Sequence, residues 1–249
     1  MAFGRRHVVF LGGAAALVAG FQLAPRLAPV GDLEFTPHPT LPDFRRLGAG
    51  GTSAAGFDLL TGGLTDAQSP ARPAIAPQDI CAALFGDAPV AAGMVPIAYF
   101  TDYFCPYCRV LGELLLTMAR EDPRIRLTLH ETPILGPGSE AAARAALAAG
   151  LQGAQRAAHE RLRVTPFIPT AAYLRELAAE LDLDAERLLA DRDAPEVDAA
   201  LGRSAALFGA FGFVGTPGLV VGRTAVNGEI GAPLLRKLVE AEAALPPPC

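Results

Sequence analysis

The sequence predicts an α/β fold: a β-α-β unit, a long helical insertion, then a β-β-α unit. Three observations predict it. A strand-like run, Val95-Pro96-Ile97-Ala98-Tyr99-Phe100, leads into a helix-like run at 109–120 with Val110, Leu111, Leu114, Leu115 and Met118 on one face. The run at 124–130, Arg-Ile-Arg-Leu-Thr-Leu-His, alternates polar and apolar at period two, as a half-buried strand does. Strand-forming residues then return only at 219–226, after a long stretch of helical pattern.

The chain has 249 residues, 51% of them hydrophobic and 19% charged, ample for a buried core. Its net charge of −5 and the lack of any long basic run give no support to nucleic-acid binding.

Residues 1–24 read as an export signal or N-terminal anchor. Arg5 and Arg6 supply a positive start, and 8–21 is an apolar run rich in Gly and Ala. That run is shorter than the roughly 20 residues a spanning helix needs. Arg-Arg-His-Val-Val-Phe-Leu is similar to a twin-arginine signal; an ordinary secretory signal fits as well. Val18-Ala19-Gly20 is the best small-residue cleavage candidate, and an uncleaved anchor stays open. Either route places the chain in the periplasm or cell envelope, where disulfides persist.

Residues 25–76 form a Pro/Gly-rich arm. Pro25, Pro29, Pro37, Pro39 and Pro42 break any long element, and Gly50-Gly51 and Gly62-Gly63 read as turns. We expect an extended arm, partly packed through Phe44, Leu47 and Phe57, with one short hairpin and no recognisable chemistry. It is too broken to form a dimerisation stalk.

The main domain is expected over 77–249, with its helical insertion at about 138–212. A short helix at 78–85 holds Cys81. After the strand comes Cys105-Pro106-Tyr107-Cys108, which opens the next helix. A cysteine at a helix N-terminus meets unpaired N–H groups and the positive end of the helix dipole, and both stabilise a thiolate. The thiolate is the form that attacks a disulfide. Pro106 suits the first helical turn, where its missing N–H costs nothing. Cys108, one turn further in, can close a ring with Cys105 and should be the less exposed. An exposed attacker and a buried resolver is the division of labour in thiol–disulfide exchange.

A zinc site is the competing reading of the two cysteines. It needs two more ligands, and the remaining Cys81 and Cys249 form no close pair, while His7, His38, His130 and His159 are scattered. An inert structural disulfide is the other alternative. Strand–CxxC–helix is the specific form of the redox motif, and it calls for no metal or other cofactor.

The later elements follow by pattern. Ser139 is expected to cap an alanine-rich helix to Gly150, and further helices cover 155–164, 174–181, 184–190 and a stretch opened by Pro195. Gly222-Arg223 turns between two short strands, and 232–245 is a last amphipathic helix.

Three stretches then carry a resemblance: Phe-x-Asp-Tyr-x-Cys-Pro-Tyr-Cys-Arg at 100–109, Thr-Pro-Ile-Leu-Gly-Pro-Gly-Ser-Glu at 132–140, and Phe-Gly-Phe-Val-Gly-Thr-Pro at 211–217. Over about 78–245 the sequence resembles the DsbA-like thiol:disulfide oxidoreductases, in particular their Com1-like branch. The resemblance implies a thioredoxin fold with an inserted helical domain. It implies that Cys105 attacks and Cys108 resolves, with Pro106, Tyr107, Thr216 and Pro217 contacting substrate and Thr216-Pro217 forming a cis-proline loop. Two departures bear on the redox potential. Tyr99 stands where many relatives have a buried acid, and Tyr107 stands where the strongest oxidants have a histidine.

The implied function is the introduction of disulfides into exported proteins. Disulfide isomerase or reductase work remains the alternative within this chemistry. A metal carrier or chaperone without redox turnover is the alternative outside it. Partners would be exported proteins with thiols or disulfides, and a membrane redox partner is compatible with them. An exported chain with two further cysteines also suggests a structural Cys81–Cys249 bridge.

Overall fold

The structure is a computed structural model that describes residues 32–48, 51–53, 75–164 and 167–248. The expected signal over 1–24 and the terminal Cys249 lie outside the described residues. The chain from Leu33 onward forms one compact unit.

The sheet has six strands: β1 (Phe35–Pro37), β2 (Arg45–Leu47), β3 (Val95–Thr101), β4 (Ile125–Glu131), β5 (Gly218–Val221) and β6 (Thr224–Asn227), in the order β1-β2-β6-β5-β3-β4. Its centre is the predicted one. β3 and β4 run parallel, in register from Val95 opposite Ile125 to Thr101 opposite Glu131. β5 lies antiparallel on the other side of β3, and β6 antiparallel to β5. The two-residue turn between them uses Gly222 at φ 53, a conformation that favours glycine.

The arm does more than pack loosely. β1 and β2 pair antiparallel, and β2 adds to β6 in parallel, Arg46 opposite Ala225. A proline-interrupted stretch shows no period-two run, so only its partner strand makes these residues sheet. The Arg45 side chain fixes the register from outside: it donates to Thr224 (2.8 Å) and to the buried Glu242 (2.6 Å).

Eight α-helices lie among the described residues, and four of them cover the sheet. Period-two alternation along β3 sends Val95, Ile97 and Tyr99 to one face and Ala98 and Phe100 to the other. The first set packs on α2 (Pro106–Glu121) and α8 (Ala232–Ala243), through Leu111, Leu115, Leu235 and Leu238. The second packs on α1 (Ile80–Phe85) and α7 (Pro195–Ala210), through Leu84, Leu207 and Phe208. Because both faces are covered, every residue of β3 is buried.

Between β4 and α7 lie α3 (Pro137–Gly150), α4 (Gln155–Leu162), α5 (Ala171–Glu180) and α6 (Ala185–Asp191). With α7 they make the helical insertion. Alanines let α3 pack closely on α4, and Leu162, Leu174, Leu177 and Leu188 fill the centre. Ser139 is not the cap of α3. Gly136 holds that position with Pro137 at N1, and Ser139 lies in the first turn with its hydroxyl turned inward to Asp102 (2.7 Å). Asp184 caps α6, accepting from the Arg187 amide.

Candidate active site

Cys105 is the N-cap of α2, with extended backbone angles (φ −81, ψ 117), and its Sγ accepts the Cys108 amide at 3.2 Å. Pro106 follows at the first helical position. The sequence therefore sets the local geometry: β3 ends, the chain turns, and the first helical turn aims its free N–H groups at one sulfur. Both cysteines are free thiols.

The turn before Cys105 is held by Asp102. Its carboxylate accepts from the amides of Phe104 (2.8 Å), Ile134 (2.8 Å) and Leu135 (3.0 Å), and from the Ser139 hydroxyl. This links the first and second sequence stretches that carried the resemblance. Gly138 leaves the space into which the Phe104 ring fits: a Cβ there would stand 2.6 Å from it.

The third stretch arrives from the other side. The Thr216–Pro217 peptide bond is cis. The Cys105 thiol donates to the Thr216 carbonyl at 3.4 Å. Asn227, at the end of β6, holds this loop by accepting from the Val214 amide and donating to the Gly215 carbonyl, both at 2.9 Å.

Hydrogen bonding lowers the Cys105 pKa to about 6. The Cys108 thiol contributes most, burial opposes it, and the Ser53 hydroxyl, the Cys108 amide and the Thr216 hydroxyl add to the lowering. Cys108 moves the other way: burial, then its bond and its proximity to Cys105, push its thiol far above the ordinary range. At neutral pH the arrangement is one thiolate and one thiol.

Cys105, expected to be exposed, is 0% exposed, and Cys108 is 3% exposed. The reason is a segment of the arm. Ser53 forms an antiparallel bridge with Thr216: the Ser53 amide donates to the Thr216 carbonyl (2.7 Å), and the Thr216 amide donates to the Ser53 carbonyl (2.8 Å). Gly51 lies against the Tyr107 ring, where a Cβ would stand 2.8 Å from it. The arm thus reaches the cysteines, although no chemistry was expected of it. The stretch Gly51-Thr52-Ser53 gave no signal for this, because its pairing with Thr216 is made by backbone atoms.

The other expected site residues divide. Pro106 and Tyr107 are exposed beside Cys105, and Val110 and Val214 add apolar surface at 60% and 75% exposure. Cys81 is on α1, in another part of the unit, with its Sγ 3.9 Å from the Pro248 carbonyl of the tail. No cluster of metal-ligating side chains occurs among the described residues.

Below α2 lies a buried polar group that sequence reading did not assemble. The Tyr103 hydroxyl donates to Glu131 (3.0 Å) and lies 3.0 Å from His159 Nδ1. Burial raises Glu131 to about 8 and lowers His159 to about 3, so both are neutral at pH 7. Their separation in sequence hid the cluster.

Comparison with known proteins agrees with this geometry. A thioredoxin-like oxidoreductase from Silicibacter pomeroyi is 38% identical, with a TM-score of 0.59, over 66% of this chain and 98% of that one. DsbA from Xylella fastidiosa is 25% identical with a TM-score of 0.52, over 64% of this chain and 90% of that one. A periplasmic thioredoxin-like protein from Salmonella enterica is 24% identical with a TM-score of 0.54, over 67% of this chain and 97% of that one, a likeness of fold alone. No curated protein matches at the level of sequence. The DSBA-like thioredoxin domain matches residues 96–240, from the second residue of β3 into α8, and takes in both cysteines and the cis-proline loop. With that match and the fold in agreement, the chain belongs to the DSBA-like thioredoxin-domain family.

Proposed function

We propose that the chain is a thiol:disulfide oxidoreductase that introduces disulfides into exported proteins through Cys105 and Cys108. The observation that carries this reading is the Cys105 sulfur at the α2 N-terminus, accepting the Cys108 amide. A thiolate held there stabilises the reduced pair, which makes the disulfide easier to give away.

The exchange runs in two displacements. A substrate thiolate attacks Cys105 Sγ of the oxidised pair. The Cys105–Cys108 bond breaks, and Cys108 leaves and takes a proton, as its raised pKa favours. A second substrate thiolate attacks the substrate sulfur of the mixed disulfide and expels Cys105 as a thiolate, a good leaving group at a pKa of about 6. The substrate loses two electrons and the pair gains two. Tyr107, Val110 and Val214 offer apolar contacts for an unfolded chain. An export signal over 1–24 would deliver the protein to an oxidising compartment, and a Cys81–Cys249 bridge would be stable there.

Equilibration of the reduced protein with glutathione buffers, followed by mapping of the Cys105–Cys108 pair, tests the direction. The expected potential is more oxidising than about −200 mV. A value near the roughly −270 mV of thioredoxin would overturn the oxidant reading.

A further inference from the structure

We infer that residues 51–53 are an intrachain occupant of the peptide slot beside Cys105, a strap that a substrate strand must displace. The inference rests on the redox reading of Cys105 and names what guards it.

Thr216 has one amide and one carbonyl with which to receive an extended peptide, and Ser53 uses both. This is strand addition, in which main-chain bonds give affinity to any extended segment. The loop is shaped for a close backbone: a Cβ on Gly215 would stand 2.8 Å from the Ser53 carbonyl oxygen. At the other end of the strap, the Gly51 carbonyl accepts the Glu229 amide at 3.0 Å, and Gly51 itself fits against Tyr107 without a side chain. The strap therefore lies across Cys105, between the cis-proline loop and the exposed ring of the CxxC motif.

Its hold is small. The Ser53–Thr216 pair is an isolated bridge, outside the strands of the sheet. A backbone hydrogen bond contributes only modestly once water competes for the same groups. An incoming strand makes the same two bonds to Thr216, so the exchange conserves them. The strap then acts as a competitor of fixed local concentration, raising the KM for peptides and slowing access to Cys105 by other thiols and electrophiles.

The test uses the full reduced chain and two variants that loosen the strap in different ways. Ser53→Pro removes the amide that donates to Thr216. Gly51→Ala places a methyl group against Tyr107. Iodoacetamide labelling of Cys105 at pH 8, where its thiolate is fully formed, reports access independently of any enzyme activity. Both variants should label about tenfold faster than the parent chain; with each protein in its oxidised form and recycled by glutathione disulfide, the KM for oxidation of a model dithiol peptide should fall by a similar factor. If no protein oxidises the peptide, the redox reading fails, and faster labelling in both variants still upholds the strap. Unchanged labelling, or a KM that rises in the variants, overturns it. Loss of the native circular dichroism spectrum in both variants also overturns it, since the segment would then be part of the scaffold.

Discussion

The Tyr99 hydroxyl donates to the Cys108 carbonyl oxygen at 2.7 Å and accepts from the Thr101 hydroxyl at 3.2 Å. It is fully buried directly beneath α2, and burial raises its pKa well above the usual value. A neutral phenol in this place ties the helix start to β3. It supplies no negative charge to take a proton from Cys108.

Tyr99→Phe should therefore change stability and leave the thiol chemistry alone. It deletes one donor and strands the Thr101 hydroxyl, at a cost of about 1–3 kcal/mol. For a chain of this size that is a fall of several degrees in Tm. The midpoint of Cys105 labelling against pH should stay where it is. A shift of that midpoint by a unit or more would give Tyr99 a direct role in the exchange.

Cys105 itself should label with iodoacetamide along a curve centred near pH 6, with Cys108 unlabelled throughout. Cys108→Ala removes the largest contributor to the lowered pKa, so the midpoint should move upward. Stability has a definite sign. The folded pKa of about 6 lies well below that of an ordinary thiol, so the reduced fold gains stability as pH rises across that window and loses it as pH falls through 6. Denaturation of the reduced protein at pH 6 and pH 9, with the Cys105→Ala variant as reference, checks this. Equal pH dependence in the two proteins would contradict it.

A disulfide between Cys81 and Cys249 should appear in a non-reducing peptide map of the full chain prepared without reductant. The tail is held close to α1 from two directions: Arg223 donates to the carbonyls of Pro246 (3.1 Å) and Pro247 (3.0 Å), and Cys81 Sγ lies near the Pro248 carbonyl. A bridge closing so long a loop would stabilise by up to about 4–5 kcal/mol in the chain-entropy model. Cys81→Ser should lower Tm accordingly. A map in which both cysteines are alkylated without reductant ends the proposal.

The parts of the fold that could be read from the sequence were those built by local pattern. β3, β4, α2 and the helices of the insertion carry their period in their own residues, and the CxxC motif carries its chemistry in its spacing. The residues that escaped are positioned by partners far away in sequence. The arm's short hairpin, β1–β2, was expected, but its addition to the sheet along β6 was not. Ser53 reaches Cys105 through backbone bonds to Thr216, which no side-chain pattern encodes. Cys105 was expected to be exposed for the same reason: its cover comes from the arm. Tyr103, Glu131 and His159 come together from a loop, a strand end and a helix.

That buried cluster makes the last prediction. Glu131 is 1% exposed, accepts from Tyr103 and weakly from Gln155 (3.4 Å), and feels the Asp102 carboxylate, while His159 lies on the far side of the Tyr103 hydroxyl. Burial raises its pKa from the usual carboxyl value of 4.5 to about 8. Folding therefore keeps a proton on a carboxyl that the unfolded chain would release. The stability this protonated group allows is fully present below pH 4.5 and is lost as pH rises towards 8. The loss approaches about 1.4 kcal/mol per pH unit inside that window. Glu131→Gln keeps an acceptor for Tyr103 and carries no charge at any pH, so it should flatten this part of the curve. Urea denaturation at pH 5, 6, 7 and 8 reads the difference: the variant should gain on the parent chain at each step upward. Parallel curves would mean that Glu131 is ionised in the folded protein, with a cation or water inside the cluster to hold its charge.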